Sequence, residues 1–171
     1  YTDTAGNAGA GGTSANYVID GVDPTVSSIT MADSALKVGE TSLLTIVFSE
    51  AVADFANADV TAPSGAISTL ATSDDITWTA TYTPTADTED DSNTISVGTS
   101  YTDTAGNAGG AGTSANYAVD TLAPSVATLS LSDTTLLVGD TATLTIVFSE
   151  AVAGFANEDV TIASAAITTL A

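Results

Sequence analysis

The chain of 171 residues contains no cysteine, no histidine and no arginine, and Lys37 is its only basic side chain. Without cysteine and histidine there can be no Cys–His or Ser–His nucleophile pair, and no zinc site built from nitrogen or sulfur ligands. The formal charge of −20 disfavours nucleic acid, anionic membranes and phosphate ligands as partners. The metal ligands that remain are oxygens of Asp, Glu, Asn and the backbone, which are the ligands that Ca²⁺ prefers.

Long hydrophobic runs are also missing, although hydrophobic residues make up 44% of the sequence. That fraction is too high for a disordered acidic tail. The longest strongly apolar run, residues 43–48, is far too short to cross a bilayer, so we expect no direct insertion into a membrane. Because no disulfide can stabilise the fold, domain size or bound metal must do so.

The chain contains a long internal repeat. Residues 1–9 recur at 101–109 and residues 45–53 recur at 145–153, so both offsets are 100 residues. Such a period matches a whole domain rather than a solenoid unit of about 20–50 residues. We therefore predict a C-terminal fragment of a preceding repeat (1–22), a complete repeat (23–122) and the N-terminal half of a following repeat (123–171). We expect the natural polypeptide to continue in both directions.

The complete repeat has the pattern of short β-strands. Apolar residues alternate with threonines over 76–82, which is the period of a half-buried strand, and Trp78 is expected to be the main aromatic of the core. Residues 44–48 alternate in the same way. Further strands are predicted near 25–31, 58–62, 66–71, 94–101 and 114–119. Seven or so strands in about 100 residues predict an all-β fold of tandem immunoglobulin-like β-sandwich domains.

The outward threonines of these strands are interpreted as residues with high β-propensity on solvated faces. An array that binds ice or sugar is the less favoured alternative, since the spacing of the threonines matches strand alternation and nothing more specific.

Several oxygen-bearing residues fall in loops that an immunoglobulin-like topology brings to one end of the complete repeat. Glu50 follows one strand, Asp103 and Asn107 lie in the loop after another, and Asp20 and Asp23 flank the incoming linker. Carboxylates this close repel one another unless a cation lies between them, and Ca²⁺ accepts six to eight oxygen ligands. We therefore predict a Ca²⁺ site that ties the linker to the domain.

These residues also have simpler interpretations. Asp103 and Asn107 could act only as turn formers, and Asp20 could be a solvated linker residue. For Asp23, solvation is favoured because its counterpart is Ala123. For Glu50, no turn requires an acid at this position, so metal binding is the stronger interpretation.

The pattern of oxygen donors recurs along the chain. Two further pairs repeat it: Asp120 with Glu150 at the next junction, and Asp3 with Asn7 as a half-site in the N-terminal fragment. A second acidic cluster, residues 87–93, is predicted to form a loop at the opposite end of the domain. Asp90 and Asp91 are its best candidate ligands for a second Ca²⁺, with a plain solvated loop as the alternative.

Four segments together resemble the bacterial immunoglobulin-like extender repeats of giant RTX-type adhesins, a class that includes biofilm and ice-binding adhesins. They are FSEAV at 48–52, TWTATYTP at 77–84, YTDTAGN at 101–107, and NYAVD at 116–120 followed by Ala-Pro. The resemblance covers essentially the whole chain. It implies a secreted or cell-surface protein of a Gram-negative bacterium, with Ca²⁺ at the domain junctions. The ligands it implies are Glu50, Asp103, Asn107 and the linker acids Asp20 and Asp120.

The expected function is mechanical. Ca²⁺ bound between neighbouring repeats of the same chain would stiffen a stalk that projects a distal adhesive module from the cell. The alternative is a subunit of an extracellular filament or surface layer, whose incomplete domains complete one another by homotypic contacts and strand exchange between chains. An enzyme is not expected, because the acids lie on loops at domain ends with no insertion that would form a pocket.

Overall fold

The computed structural model describes residues 1–163 and 165–166. The complete repeat is built from short strands and one turn of 3₁₀ helix (Asn57–Asp59). In chain order the strands are β1 (Val26–Met31), β2 (Ala35–Lys37), β3 (Ser42–Phe48), β4 (Val52–Ala53), β5 (Val60–Thr61), β6 (Gly65–Ile67), β7 (Ala71–Thr72), β8 (Thr77–Pro84), β9 (Glu89–Asn93), β10 (Ser96–Val97), β11 (Thr102–Asp103), β12 (Gly112–Thr113) and β13 (Tyr117–Asp120).

These strands form two layers. One layer is an antiparallel sheet with the order β1-β3-β8-β6, in which β7 also pairs with β8. The other layer consists of three short ladders, β2-β13-β9, β12-β10-β5 and β11-β4. The pairing of β2 with β13 is parallel, so the chain crosses from the first layer to the second between β1 and β2. A five-stranded antiparallel sheet that faces a second layer of strands is the arrangement of an immunoglobulin-like sandwich, and the predicted fold class is confirmed.

The core lies between the two layers and follows from strand alternation. In β3, Leu44, Ile46 and Phe48 point inward and are buried, whereas Leu43 is exposed. Aromatic rings dominate the centre: the ring of Phe48 lies 4.9 Å from that of Tyr101 and 4.9 Å from that of Phe55, in tilted and edge-to-face arrangements that aromatic pairs prefer.

Trp78 is not the main aromatic of the core, contrary to the sequence expectation. It is only partly buried, and its ring packs on Phe55 at 5.3 Å while its indole Nε1 donates a hydrogen bond to the carbonyl of Asp75 at 3.2 Å. Tyr82, on the same strand and face, is fully buried. Trp78 lies near the end of the strand, and burial depth along a strand is not encoded by its period of two.

Three predicted strands, near 25–31, 44–48 and 76–82, are confirmed by β1, β3 and β8. The single strand predicted over 94–101 is wrong, because only β10 forms there. The predicted loop at 87–93 is also wrong, because β9 occupies most of it and pairs with β13.

The residues on either side of the complete repeat are more exposed than those within it. Residues 1–20 are exposed throughout. After the complete repeat, β14 (Val126–Leu131) and β15 (Leu144–Phe148) pair in the register of β1 and β3, with the bulge at the matching position. The side chain of Leu129 is 64% exposed, whereas its counterpart Ile29 is 7% exposed. The end of the predicted 123–171 unit, residues 164 and 167–171, lies outside the described residues.

Candidate metal centre

Three carboxylates meet where the linker enters the complete repeat. Asp20, Glu50 and Asp103 each offer an oxygen, and these oxygens all lie within 4.8 Å of one another. Asp20 comes from the linker, Glu50 from the turn between β3 and β4, and Asp103 from the end of β11. Because β11 pairs with β4 and places Asp103 opposite Val52, the sheet itself brings the two loops side by side.

Asp103 is held by its own loop. Its Oδ1 accepts hydrogen bonds from the backbone N–H groups of Ala105 and Asn107, both at 2.8 Å, and its Oδ2 accepts one from the side-chain amide of Asn107 at 2.7 Å. Burial acts to raise the pKa of Asp103, but the hydrogen bonds, led by those of Asn107, bring the pKa below its ordinary value. Asp103 is therefore ionised at neutral pH, and Oδ2 keeps a lone pair for a further partner.

Asn107 joins the linker to this loop. Besides its bond to Asp103, its Nδ2 donates to the backbone carbonyl of Asp20 at 3.4 Å. Its nitrogen therefore faces the carboxylates, and its contribution in this structure is to orient Asp103 and to hold Asp20 beside it.

Glu50 is the carboxylate of the cluster whose pKa is raised. Partial burial raises its pKa, and the negative charges of Asp20 and Asp103 raise it further. No basic side chain of the protein compensates the cluster, because the only one, Lys37, is paired with Glu40 at 3.7 Å. Three carboxylates held together without a positive partner form an environment that favours a bound cation.

The geometry of the cluster fits a hard divalent cation. Ca²⁺ binds oxygen at about 2.3–2.6 Å, so two oxygens on one ion lie at most about 5 Å apart. The separations of up to 4.8 Å among Asp20, Glu50 and Asp103 satisfy this limit. The donors are all oxygens, as Ca²⁺ requires, and backbone carbonyls and water complete such sites.

Two parts of the chain match a known family of protein domains. The family model for the bacterial Ig-like domain matches residues 20–119 and 120–171. The chain belongs to the bacterial Ig-like domain family. Domains of this family occur in surface and extracellular bacterial proteins and are typically structural and non-catalytic. No curated protein and no solved structure matches the chain. In its described part, no helix is long and apolar enough to span a bilayer.

A second copy of the Asp103 loop lies in the N-terminal segment of this Ig-like protein. There, Asp3 accepts hydrogen bonds from the N–H groups of Ala5 and Asn7, both at 2.9 Å, and from the Asn7 side-chain amide at 2.8 Å. All of these residues are exposed. Among the described residues no further carboxylates join Asp3 in a cluster. Asp3 and Asn7 form a turn here, and their role as a half-site stays a prediction.

The junction that precedes the next Ig-like repeat is only partly assembled in the described residues. Asp120 is exposed at the end of β13. The Oε1 atom of Glu150 is buried and has no hydrogen-bond partner in the described part of the chain. A buried carboxylate oxygen without a donor is costly, and a cation would compensate it. Glu150 occupies the position that Glu50 has in the complete repeat, 100 residues earlier.

The remaining predicted ligands are not brought into a cluster. Asp23 is exposed and lies outside the three-carboxylate group. Asp90 and Asp91 are successive residues of β9, so their side chains point to opposite faces. Asp90 instead accepts hydrogen bonds from Ser64 Oγ at 2.9 Å and from the N–H of Ser92 at 3.1 Å, while Asp91 is exposed.

The residues that fix the loop 103–109, which we call the metal-site loop, were not predicted from the sequence. The hydroxyl of Tyr101 donates to the carbonyl of Gly110 at 2.6 Å, and its ring lies directly on Gly109, leaving no room for a Cβ there. Tyr1 makes the same bond to Ala10 and covers Gly9 in the same way. The identical repeat of residues 1–9 at 101–109 is the signal that could have identified both clamps.

Proposed function

We propose that the chain is part of the stalk of a secreted or cell-surface bacterial adhesin, in which Ca²⁺ at each junction holds successive Ig-like repeats in a fixed orientation. Such a stalk would carry a distal adhesive module away from the cell. The observation that supports this function is the meeting of linker residue Asp20 with Glu50 and Asp103 of the domain that follows.

The junction has different properties with and without a bound cation. In the absence of a cation, the three negative charges repel, and the linker is the only partner free to move away. When Ca²⁺ binds, Asp20, Glu50 and Asp103 supply protein oxygens, and the ion replaces repulsion by attraction. Because Asp20 reaches the ion from outside the domain, binding restricts the linker. Millimolar extracellular Ca²⁺ suits such weak sites, with a Kd on the order of 10⁻⁴–10⁻³ M.

Calorimetry with Ca²⁺ and small-angle scattering test the proposal on the whole chain. We expect Ca²⁺ to bind and to reduce the spread of interparticle distances in solution, and a chelator to reverse both effects. Glu50→Gln should weaken Ca²⁺ binding and abolish the change in scattering. Asp87→Asn, which removes an equal charge from an exposed loop outside the cluster, serves as the control. Scattering that is the same with Ca²⁺ and with chelator would contradict the proposal.

A second candidate function is the subunit of an extracellular filament that assembles by strand exchange. It is favoured by the apolar residues on the core-facing side of β14, such as Leu129 and Leu131, which are 64% and 47% exposed. A strand of another chain could cover them. Concentration-dependent polymers in light scattering, lost when Leu129 is changed to Ser, would support this candidate, and a persistent monomer would exclude it.

A further inference from the structure

The outer face of the β1-β3-β8-β6 sheet has no charged residue, although the chain carries 21 acidic side chains. The register of the sheet places Thr30, Thr45, Thr79 and Ala71 in one row across four strands. The other outward positions in the strands of this sheet are equally small or apolar: Ser28, Leu43, Val47, Ala66, Thr77, Thr81 and Thr83. We call these residues the threonine face.

The opposite side of the sandwich differs in charge. There, the strand register places Asp120 of β13 opposite Lys37 of β2 on one side and opposite Glu89 of β9 on the other. All three residues are exposed. The acidic turns, such as Asp74–Asp75, lie at the ends of the strands rather than on the threonine face. The negative charge of the repeat is therefore concentrated away from one flat surface.

We propose that the threonine face is a self-association surface that packs against the same face of a second copy of this chain. Two chains of charge −20 repel one another wherever acidic residues approach within the Debye length, about 8 Å at physiological salt. The threonine face is a surface on which two copies can meet without bringing carboxylates together. A second copy also presents strands of the same spacing, so that rows of methyl groups lie against one another.

The size of the face determines how strong this association is. The long strands β1, β3 and β8 (6, 7 and 8 residues) and the short strands β6 and β7 (3 and 2 residues) make up the face. At a strand spacing of about 4.8 Å and about 3.4 Å per residue, they cover roughly 400 Å² on each partner. Stable complexes bury about 1,200–2,000 Å² in total, so a single pair of faces associates weakly. The outward positions of β14 and β15, including Thr128, Thr145 and Val147, repeat the uncharged pattern. Tandem copies of the face would therefore act together, and avidity would bundle neighbouring chains side by side.

Sedimentation equilibrium of the full chain in saturating Ca²⁺ tests this proposal. We expect the average mass to rise with protein concentration up to the millimolar range. It should rise further with NaCl, because the Debye length falls from about 10 Å at 0.1 M to about 3 Å at 1 M. A chain that stays monomeric throughout these conditions would overturn the proposal.

Paired variants assign the association to the face. Thr30→Asp with Thr81→Asp adds two charges at exposed positions of the threonine face, and we expect it to abolish association. Thr61→Asp with Thr113→Asp adds two charges at exposed positions of the other layer and should associate like the parent. Association that survives the first pair but is lost on Leu129→Ser would place the contact on the apolar residues of β14 and refute the proposal. Neither pair touches the carboxylate cluster, so a failure here leaves Ca²⁺ binding to be judged by its own experiment.

Discussion

Replacing Gly109 by alanine tests whether the packing of Tyr101 holds the metal-site loop in place. A Cβ at Gly109 would lie less than 3.0 Å from ring carbons of Tyr101, a separation that real Cβ atoms essentially never show. Tyr101 is fully buried, and its ring is confined by Phe48 at 4.9 Å and Phe55 at 5.7 Å. The ring therefore cannot move aside without displacing the aromatic core.

The expected cost has two parts. Overpacking of a well-filled core costs about 1–3 kcal/mol. A shifted ring also loses the hydrogen bond from Tyr101 to the carbonyl of Gly110, which contributes about 1 kcal/mol. Together these give about 2–4 kcal/mol, out of a total of about 5–15 kcal/mol for a domain of this kind. At about 4–8 °C per kcal/mol for a domain of about 100 residues, the melting temperature should fall by about 8–32 °C.

Thermal unfolding followed by circular dichroism measures this fall, and the chain supplies its own control. A Cβ at Gly9 would overlap the ring of Tyr1 in the same way, but Tyr1 is 91% exposed and its ring is free to turn into solvent. Gly9→Ala should therefore leave the melting temperature of the complete repeat unchanged. Equal and small effects of Gly109→Ala and Gly9→Ala would refute the argument that Tyr101 clamps the loop. Calorimetry of Gly109→Ala should also show weaker Ca²⁺ binding, because Asp103 lies in the displaced loop.

Substitutions in the carboxylate cluster and in the core test two other parts of the structure. Glu50→Gln removes one of three like charges, so it should raise the melting temperature in chelator and lower it, relative to the parent, in saturating Ca²⁺; thermal scans in both buffers decide this. The pKa of Glu50 is raised in the fold, so its stabilising contribution is complete below its unfolded pKa, ordinarily 4.5, and is lost as the pH rises through the raised pKa. The pKa of Asp103 is lowered in the fold, so its stabilising contribution is present above the ordinary pKa of 3.8 and is lost as the pH falls through the lowered pKa. Thermal scans against pH in chelator should therefore show Glu50 stabilising the protein on mild acidification and Asp103 destabilising it at lower pH, and a Glu50→Gln protein that keeps the whole of the initial rise would contradict the assignment. Tyr117→Phe removes the hydroxyl that donates to the Pro63 carbonyl at 2.5 Å, and it should cost about 1 kcal/mol in urea unfolding, with the exposed Tyr17→Phe as a neutral control.

Much of the fold could be predicted because its main strands obey a strict period of two. In β3 and β8, each apolar residue that the pattern turns inward lies on the core side of the sheet, as Ile46 opposite Trp78 shows. The strand β9 escaped prediction because its sequence, Glu-Asp-Asp-Ser-Asn, has no apolar residue to alternate. Its place is fixed by pairing with β13 and by the buried Asn93, whose side-chain oxygen accepts a hydrogen bond from Ser64 Oγ at 2.8 Å. Both depend on partners distant in the sequence.

Part of the candidate site could likewise be predicted from the sequence, and part could not. The approach of Glu50 to Asp103 was predictable, because the topology places the loops after their strands at one end of the sandwich. The prediction that Asp90 and Asp91 lie together in a loop is wrong, because both belong to β9, where successive side chains point to opposite faces. The direction of the Asn107 amide could not be predicted, since an amide offers either a donor or an acceptor and only the surroundings choose between them.

The two copies of the Asp-Thr-Ala-Gly-Asn loop separate what the local sequence encodes from what the fold adds. The copy at Asp3 forms the same hydrogen bonds as the copy at Asp103, although it lies on an exposed segment. The hydrogen bonds within the loop are therefore encoded by the local sequence, Asp-Thr-Ala-Gly-Asn. Asp103 differs from Asp3 in having two neighbouring carboxylates. The pairing of β11 with β4 brings Glu50 close to Asp103, and the hydrogen bond of Asn107 to the linker brings Asp20 close. The cluster of three carboxylates thus joins residues of the linker and of the folded domain. Our proposal requires this arrangement, because a cation can set the orientation between repeats only if it holds both.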